Sequence, residues 1–178
     1  MDEVRKSLGL VQIYTGDGKG KTTAALGLAL RASGRGLNVI MIQFMKPDAG
    51  YGEQIAVQSI PNITILPMGP NHFCGSEITR DEDIECTKNA LLKSEEVLMS
   101  GKYDLVILDE INNALRHDLV KSSDVISLLE KRSPNVEVVL TGRRVPQEII
   151  DYADLVTEMR MIKHPFDAGI GARIGIEY

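Results

Sequence analysis

The chain has 178 residues, of which 43% are hydrophobic, and this is long and apolar enough for one domain with a substantial core. Its 25 acidic and 20 basic residues give a net charge of −5, which argues against a general nucleic-acid surface and suits a small ligand better. The two cysteines, the lack of a signal-like N-terminus and the lack of an apolar run of about 18 residues predict a reduced, cytoplasmic protein that does not span a membrane.

A glycine-rich loop follows the first predicted strand. Residues 1–9 are polar and are expected to form a short, loosely held N-terminal arm, and residues 10–14 predict a strand. The loop is Thr15-Gly16-Asp17-Gly18-Lys19-Gly20-Lys21-Thr22-Thr23, and an apolar helix is predicted over 22–32. A strand, a glycine-rich loop and a helix in this order are the context of a P-loop.

The residue types of this loop suit a bound polyphosphate. Glycines let the backbone bring its N–H groups close to anionic oxygens, where a side chain would intrude. Lys21 adds a charge on the terminal phosphates, and the helix N-terminus favours the same anion. Thr22 offers a hydroxyl to a magnesium ion. Thr15 stands where the usual motif has its first glycine, and a plain glycine-rich turn is the alternative interpretation.

The next residues predict a buried helix and a buried strand, and the carboxyl end of that strand faces a ligand. The helix after the loop is apolar nearly all round, which predicts burial on several sides. Residues 39–45 are a continuous apolar run, typical of a parallel strand buried on both faces, with Gln43 as a polar insertion. Residues 46–53 follow the carboxyl end of that strand, where open α/β sheets bind ligands, and predict a mobile flap.

A helix over 52–60, a strand over 63–67 and an irregular loop over 68–75 come next. Thr79 and Glu82 have the spacing of a capping box, which predicts the start of a helix that runs to residue 100. The apolar residues expected on its buried face are Ile84, Leu91, Leu92 and Leu98.

An acidic pair ends the following strand. Residues 105–108 are apolar, and Asp109 and Glu110 come directly after them. This is the pattern of a Walker-B strand, which brings its first carboxylate beside the P-loop. We therefore expect Asp109 to hold a magnesium ion, directly or through water, together with the Thr22 hydroxyl.

The rest of the chain continues the alternation of strands and helices. Ser123 is expected to cap a helix that buries Val125, Leu128 and Leu129, and a strand over 136–140 leads into Thr141-Gly142-Arg143-Arg144 at the ligand edge. A helix over 146–153, a strand over 155–161 and an edge strand over 170–178 follow. Residues 10–178 therefore predict a single-domain, mainly parallel, doubly wound α/β sheet.

Several stretches together resemble the ATP:corrinoid adenosyltransferases, over residues 11–178. They are the P-loop, V-I-M-I-Q-F-M-K at 39–46, Y-D-L-V-I-L-D-E-I-N-N-A-L at 103–115, T-G-R at 141–143, K-H-P-F-D-A-G-I at 163–170 and G-I-E-Y at 175–178. The resemblance implies a RecA-like P-loop fold, a homodimer, and transfer of the 5′-deoxyadenosyl group of ATP to the Co(I) centre of a reduced corrinoid with release of triphosphate. The P-loop of this family also lacks the first glycine, so Thr15 fits it.

The resemblance also implies roles for single residues. The loop from Thr15 to Thr23 binds ATP, and Lys21, Thr22 and Glu110 are the expected catalytic residues. Thr22, Asp109 and Glu110 are the expected ligands of Mg²⁺ or Mn²⁺. The protein then needs no general base, because Co(I) is itself a strong nucleophile that attacks C5′ of the ribose.

The corrinoid site is expected in the loop over 69–75. Family members commonly carry a Phe and a Trp there, whereas this chain contains no tryptophan. Phe73 is the candidate for displacing the lower axial ligand of cobalt, with an anchor of the loop as the alternative role, and His72 is a candidate polar contact or axial ligand. His164 and Asp167 are expected to shape the corrinoid pocket or a dimer contact, and a flavoprotein is the expected reductant.

Two other functions fit the same motifs. A P-loop ATPase would use Glu110 to activate water for attack on the γ-phosphate, giving ADP and phosphate. A non-catalytic carrier would bind the nucleotide or the corrinoid without turnover.

Overall fold

All strands of the sheet run in one direction. The computed structural model describes residues 2–71 and 81–178, and within them six strands pair in parallel in the order β3-β2-β4-β5-β1-β6. The strands are β1 Val11–Thr15, β2 Val39–Gln43, β3 Ile63–Pro67, β4 Leu105–Asp109, β5 Glu137–Thr141 and β6 Leu155–Glu158. The predicted parallel α/β class is confirmed, and the arrangement fits a RecA-like P-loop fold.

Helices cover both faces of this sheet. They are α1 Asp2–Lys6, α2 Lys21–Ser33, α3 Gly52–Ala56, α4 Asp81–Met99, α5 Ile111–Arg116, α6 Ser122–Glu130 and α7 Gln147–Tyr152, with 3₁₀ turns at Val57–Ser59 and Pro165–Ala168. Helices α4 to α7 pack on one face, against strand residues such as Ile40 and Val106, and α2 packs on the other, against Met41 and Ile107. None of the helices in the described ranges is long and apolar enough to cross a membrane.

The central strands are buried on both faces, as their continuous apolar runs predict. Every residue of β2, β4 and β5 is buried. The register places Gln43 beside Asp109 and Tyr14 beside Thr141. The carboxyl ends of β1, β2, β4 and β5 therefore meet at one edge of the sheet, where they position the candidate site.

The expectation that α2 is buried on several sides is wrong. The helix packs on the sheet through small side chains, Ala25, Ala29 and Ala32. Leu30 is 59% exposed on its other side. A helix that lies on one face of a sheet is covered by the sheet on one side only. The alanine side chains let α2 approach the strands closely, and the leucines of α2 therefore lie at its flanks or in solvent.

The buried face of α4 also differs from the expectation. Ile84 and Leu92 are 46% and 58% exposed, whereas Leu98 is buried as expected. The residues that face the core are Asp83, Thr87, Ala90, Ser94, Val97 and Leu98. Small and polar residues can line a buried helix face when their groups bond locally, as the Ser94 hydroxyl does to the Ala90 carbonyl at 2.7 Å. Thr79 of the expected capping box lies outside the described residues.

Three expectations about other segments are corrected. Residues 2–6 were expected to be a loosely held arm, but they form the helix α1. Arg5 Nε in this helix donates to Asp104 Oδ1 at 2.7 Å, which attaches it to the domain. The N-cap of α6 is Lys121 and not Ser123. Strand β6 ends at Glu158, and residues 170–178 form turns instead of an edge strand. Gly169 and Gly175 each have a φ of 75°, which interrupts an extended chain there.

The chain after β6 crosses the glycine-rich loop. Gly18 N donates to Met159 O at 2.7 Å, and Met159 N donates to Thr15 O at 2.8 Å. A Cβ atom on Gly18 would lie 2.6 Å from Met159 O, and one on Gly16 would also collide with Met159. These glycines are therefore needed for close approach of residues 159–160 as well as for a ligand.

We predict that Gly18→Ala lowers the free energy of unfolding by about 1–3 kcal/mol, because the added methyl group displaces backbone atoms at Met159 and Arg160. The control is Gly27→Ala within α2, where a Cβ meets nothing within 4 Å. The Gly27→Ala variant should be more stable than the wild type by about 0.5–1 kcal/mol, because alanine is favoured over glycine inside a helix. Urea unfolding of both variants measures the difference, and equal effects would contradict the close approach.

Candidate functional site

A cavity of about 480 Å³ lies at the carboxyl edge of the sheet. Its walls are residues 18–23 of the loop, Leu26, Lys46, residues 52–53, Glu110, Arg143, His164 and residues 175–178. This volume is in the range of small-molecule sites. The lining contains the lysine, threonine and glutamate that the sequence predicts as catalytic.

The lysine of the glycine-rich loop is folded into the loop itself. Lys21 Nζ donates to Gly16 O and Gly18 O, both at 2.8 Å, and the side chain is buried. Burial lowers the pKa of Lys21, and the nearby Glu110 carboxyl opposes that shift. The ammonium group thus lies inside the loop that would surround a phosphate.

The N-terminus of α2 adds donors to the same cavity. Gly20 is its N-cap, with a φ of 122°, and no side chain of the described residues caps this end. The first backbone N–H groups of a helix have no intrahelical acceptor, and with the helix dipole they favour an anion. The loop and the helix therefore both suit a bound phosphate chain.

Asp109 connects the ends of four strands. It is 0% exposed, and its Oδ1 accepts hydrogen bonds from the Thr22 hydroxyl at 2.8 Å and the Thr141 hydroxyl at 2.7 Å. Its Oδ2 lies 3.3 Å from Lys46 Nζ and 3.4 Å from Gln43 Nε2. Thr22 follows β1, Thr141 ends β5 and Lys46 follows β2, so this buried carboxylate fixes all three relative to β4.

Lys46 and Glu53 belong to the site although the motifs do not assign them a role. Lys46 Nζ lies 3.1 Å from Glu53 Oε1 and 5.7 Å from the centre of the Tyr51 ring. Burial alone would lower the pKa of Lys46, but the Asp109 and Glu53 carboxylates outweigh it and raise that pKa. One feature of the sequence could have indicated this role: Lys46 comes just after β2, a buried strand that pairs with β4, and β4 ends at Asp109.

Glu110 is one of the acidic residues that line the cavity. Its backbone is left-handed, with a φ of 65°, its N–H donates to the Thr141 hydroxyl at 2.9 Å, and its Oε2 accepts from Asn113 Nδ2. Burial, together with the charge of Asp109, raises the pKa of Glu110 to about 7. A carboxyl group with such a pKa is costly to ionise unless a positive charge is bound beside it.

Not every predicted residue of the loop lies in the large cavity. Thr15, Gly16 and Asp17 line a second cavity, of about 300 Å³, with Arg144 and Glu158. Lys19 lines the large cavity and donates to Glu177 Oε1 at 2.7 Å. Arg143 also lines it, at the ligand edge where the sequence predicts it, and so does His164, which was expected at a corrinoid pocket or a dimer contact. His72 and Phe73 lie outside the described residues.

The oxygen atoms near Thr22 suit a magnesium or manganese ion. The Thr22 hydroxyl and the Glu110 carboxyl line one cavity, and Asp109 is hydrogen-bonded to that hydroxyl. Residues 2–71 and 81–178 hold no group of three or more His, Cys, Asp or Glu side chains suited to a metal. A magnesium ion bound with a nucleotide takes one or two carboxylates and completes its shell with phosphate and water, so the present residues fit it.

Comparison with known proteins gives consistent matches over nearly the whole chain. A family model described as ATP:corrinoid adenosyltransferase BtuR/CobO/CobP matches residues 7–178. A corrinoid adenosyltransferase of a Sinorhizobium species is 36% identical, covering 96% of this chain and 80% of the relative. Corrinoid adenosyltransferase CobA of Salmonella typhimurium is 35% identical, covering 99% and 89%. A corrinoid adenosyltransferase of Escherichia coli is 34% identical, covering 96% and 86%.

We predict that Thr141→Val lowers the free energy of unfolding by about 1–3 kcal/mol, because it leaves Glu110 N–H without its acceptor and Asp109 without one of its donors. Thr64→Val, at an exposed position of β3, is the control and should change it by less than about 0.5 kcal/mol. Chemical denaturation of the two variants makes the comparison. A cost for Thr141→Val no larger than that for Thr64→Val would show that the Asp109 network contributes little.

Proposed function

The chain belongs to the family of ATP:corrinoid adenosyltransferases, and on this basis we propose that it transfers the 5′-deoxyadenosyl group of ATP to the Co(I) centre of a reduced corrinoid. The product would serve adenosylcobalamin biosynthesis or salvage. The observation that carries the proposal is the meeting of Lys21, Thr22 and Glu110 in one cavity, in a chain that matches the family over residues 7–178.

The reaction is a displacement at carbon. The electron pair of Co(I) forms the Co–C5′ bond while the bond between C5′ and the α-phosphate oxygen breaks, and triphosphate leaves with the electron pair of that broken C–O bond. Cobalt supplies the nucleophile, so the protein has to position the ribose carbon and stabilise the negative charge of the leaving group.

Cationic groups around the cavity are placed to stabilise the negative charge of the leaving group. Lys21 and the backbone N–H groups at the start of α2 are placed to bind the triphosphate. Lys46 and Arg143 line the same cavity, and they add positive charge toward the same ligand. Preorganised donors of this kind lower the barrier most when the charge develops in the transition state.

A divalent cation, Mg²⁺ or Mn²⁺, would be held by Thr22, Asp109 and Glu110. Asp109 acts mainly through its hydrogen bond to the Thr22 hydroxyl, because its own oxygens are buried and already accept hydrogen bonds. When bound, the cation neutralises charge on the triphosphate.

The corrinoid contacts are assigned from the family resemblance. We assign Phe73 the role of the apolar side chain that displaces the lower axial ligand and eases reduction to Co(I), and His72 that of a polar contact. A flavoprotein delivers the electron. The protein acts as a homodimer in the cytoplasm.

ATP hydrolysis is the second candidate function, and one observation favours it. Glu110 faces the cavity with a pKa of about 7, which suits a general base. Family membership favours adenosyl transfer, in which no water is activated.

We predict that ATP and a chemically reduced Co(I) corrinoid give one adenosylcorrinoid and one triphosphate per turnover, because the leaving group retains all three phosphates. An anaerobic assay that follows the corrinoid absorbance beside a triphosphate measurement tests this. Formation of ADP and phosphate without corrinoid would support hydrolysis instead, and binding of ATP with no turnover would support a carrier.

We predict that Lys21→Ala lowers kcat/KM for adenosyl transfer by roughly 10²- to 10³-fold, the usual effect of removing one charge-stabilising group. Lys88→Ala, at an exposed position of α4, is the matched control and should keep wild-type activity. An unchanged rate for Lys21→Ala would exclude its role in binding the triphosphate.

A further inference from the structure

The C-terminal residues lie against the glycine-rich loop, at the opening of the nucleotide cavity. We propose that Glu177 is a positioning residue that orients Lys19 toward the triphosphate, so that the last residues of the chain form part of the nucleotide site. The inference rests on the proposed function only in that ATP binds in this cavity. It assigns a role to Glu177, which the motifs leave without one.

Glu177 is held in place from two sides. Its Oε2 accepts hydrogen bonds from Arg173 N at 2.8 Å and Arg173 Nε at 3.1 Å, and its Oε1 accepts from Arg173 Nη2 at 2.9 Å. The backbone supports the same turn, since Glu177 N donates to Arg173 O at 3.0 Å. The Arg173 guanidinium, and Lys19 after it, hold the pKa of Glu177 well below its usual range. Arg173 therefore orients this carboxylate, and the carboxylate stays charged.

Lys19 is oriented by this carboxylate. Lys19 Nζ donates to Glu177 Oε1 at 2.7 Å and to Ile176 O at 3.1 Å. An ammonium group has three hydrogens, and these two bonds use two of them. The third remains for a phosphate oxygen in the cavity that Lys19 lines.

The same residues also form part of the cavity wall. Residues 175–178 line it beside the loop, and the Tyr178 ring packs edge-on against Tyr51, with the ring centres 6.3 Å apart. Tyr51 precedes α3 on the opposite side, where Lys46 lies against its ring. The chain end thus spans from the phosphate loop to the loop after β2, and Glu177 is its contact on the phosphate side.

An exposed ion pair contributes little to stability by itself. The Lys19–Glu177 pair differs because both residues line the cavity, and a lysine that is already oriented loses less conformational freedom when the ligand binds. The effect of losing Glu177 should therefore appear in ligand affinity and only weakly in stability.

The test is a double-mutant cycle with Lys19→Met and Glu177→Gln, measured by calorimetric binding of ATP and of inorganic triphosphate without corrinoid. We expect each single variant to weaken triphosphate binding by about 3- to 10-fold, the size of one ordinary hydrogen bond, and the double variant to be no weaker than Lys19→Met. In turnover assays, Glu177→Gln should raise KM for ATP more than it lowers kcat.

Glu95→Gln is the matched control, because Glu95 forms a similar ion pair, with Lys131 at 2.8 Å, and does not line the cavity. It should bind ATP as the wild type does, and thermal unfolding verifies that every variant is folded. Additive effects of the two variants, or wild-type affinity in Glu177→Gln, would overturn the positioning role. Failure of the wild-type protein to bind ATP would instead overturn the proposed function.

Discussion

The site depends on a single buried charge. Asp109 has no exposed surface, so its carboxylate is stable only if several donors replace the water it has lost. Those donors are two hydroxyl groups, an amide and an ammonium group, supplied by Thr22, Thr141, Gln43 and Lys46. Because they come from the start of α2, from the end of β2 and the residues just after it, and from the end of β5, the requirement to pair one charge also aligns the phosphate loop with the neighbouring strand ends.

The glycine-rich loop satisfies two steric demands at once. Its N–H groups have to approach a phosphate chain on one side, and residues 159–160 lie against it on the other. A side chain at Gly18 would collide with the backbone of Met159, so the glycine would be needed there even in a protein without a ligand. The phosphate loop is consequently supported by the chain that continues from β6, and that same chain later returns to the opening of the cavity.

The lysines of the cavity are already bonded before any ligand binds. Loop carbonyls accept hydrogen bonds from Lys21, whereas Lys46 is paired with Asp109 and Glu53, and Lys19 with Glu177. A triphosphate would meet three cations that are already oriented, which lowers the conformational cost of binding. The carboxyl of Glu110, costly to ionise in the same cavity, is the group whose charge a bound cation would favour.

The sequence by itself determined the parallel α/β class, the P-loop and the acidic end of β4, because each depends on a short run of neighbouring residues. Continuous apolar runs give buried strands, and glycine spacing gives the loop. The exposed leucines of α2 and α4 and the turns at the chain end were predicted wrongly, because which side of a helix or tail meets the core depends on what packs against it. The sequence placed residues 46–53 and Thr141 at the ligand edge, but only the tertiary structure decided which groups they pair with and that Glu177 joins the site. Strand register brings Thr141 and the residues after β2 beside Asp109, and the returning chain brings Glu177 to Lys19. The contacts of Asp109 with Lys46 and of Glu177 with Lys19 join residues far apart in sequence, so they leave no local pattern to read.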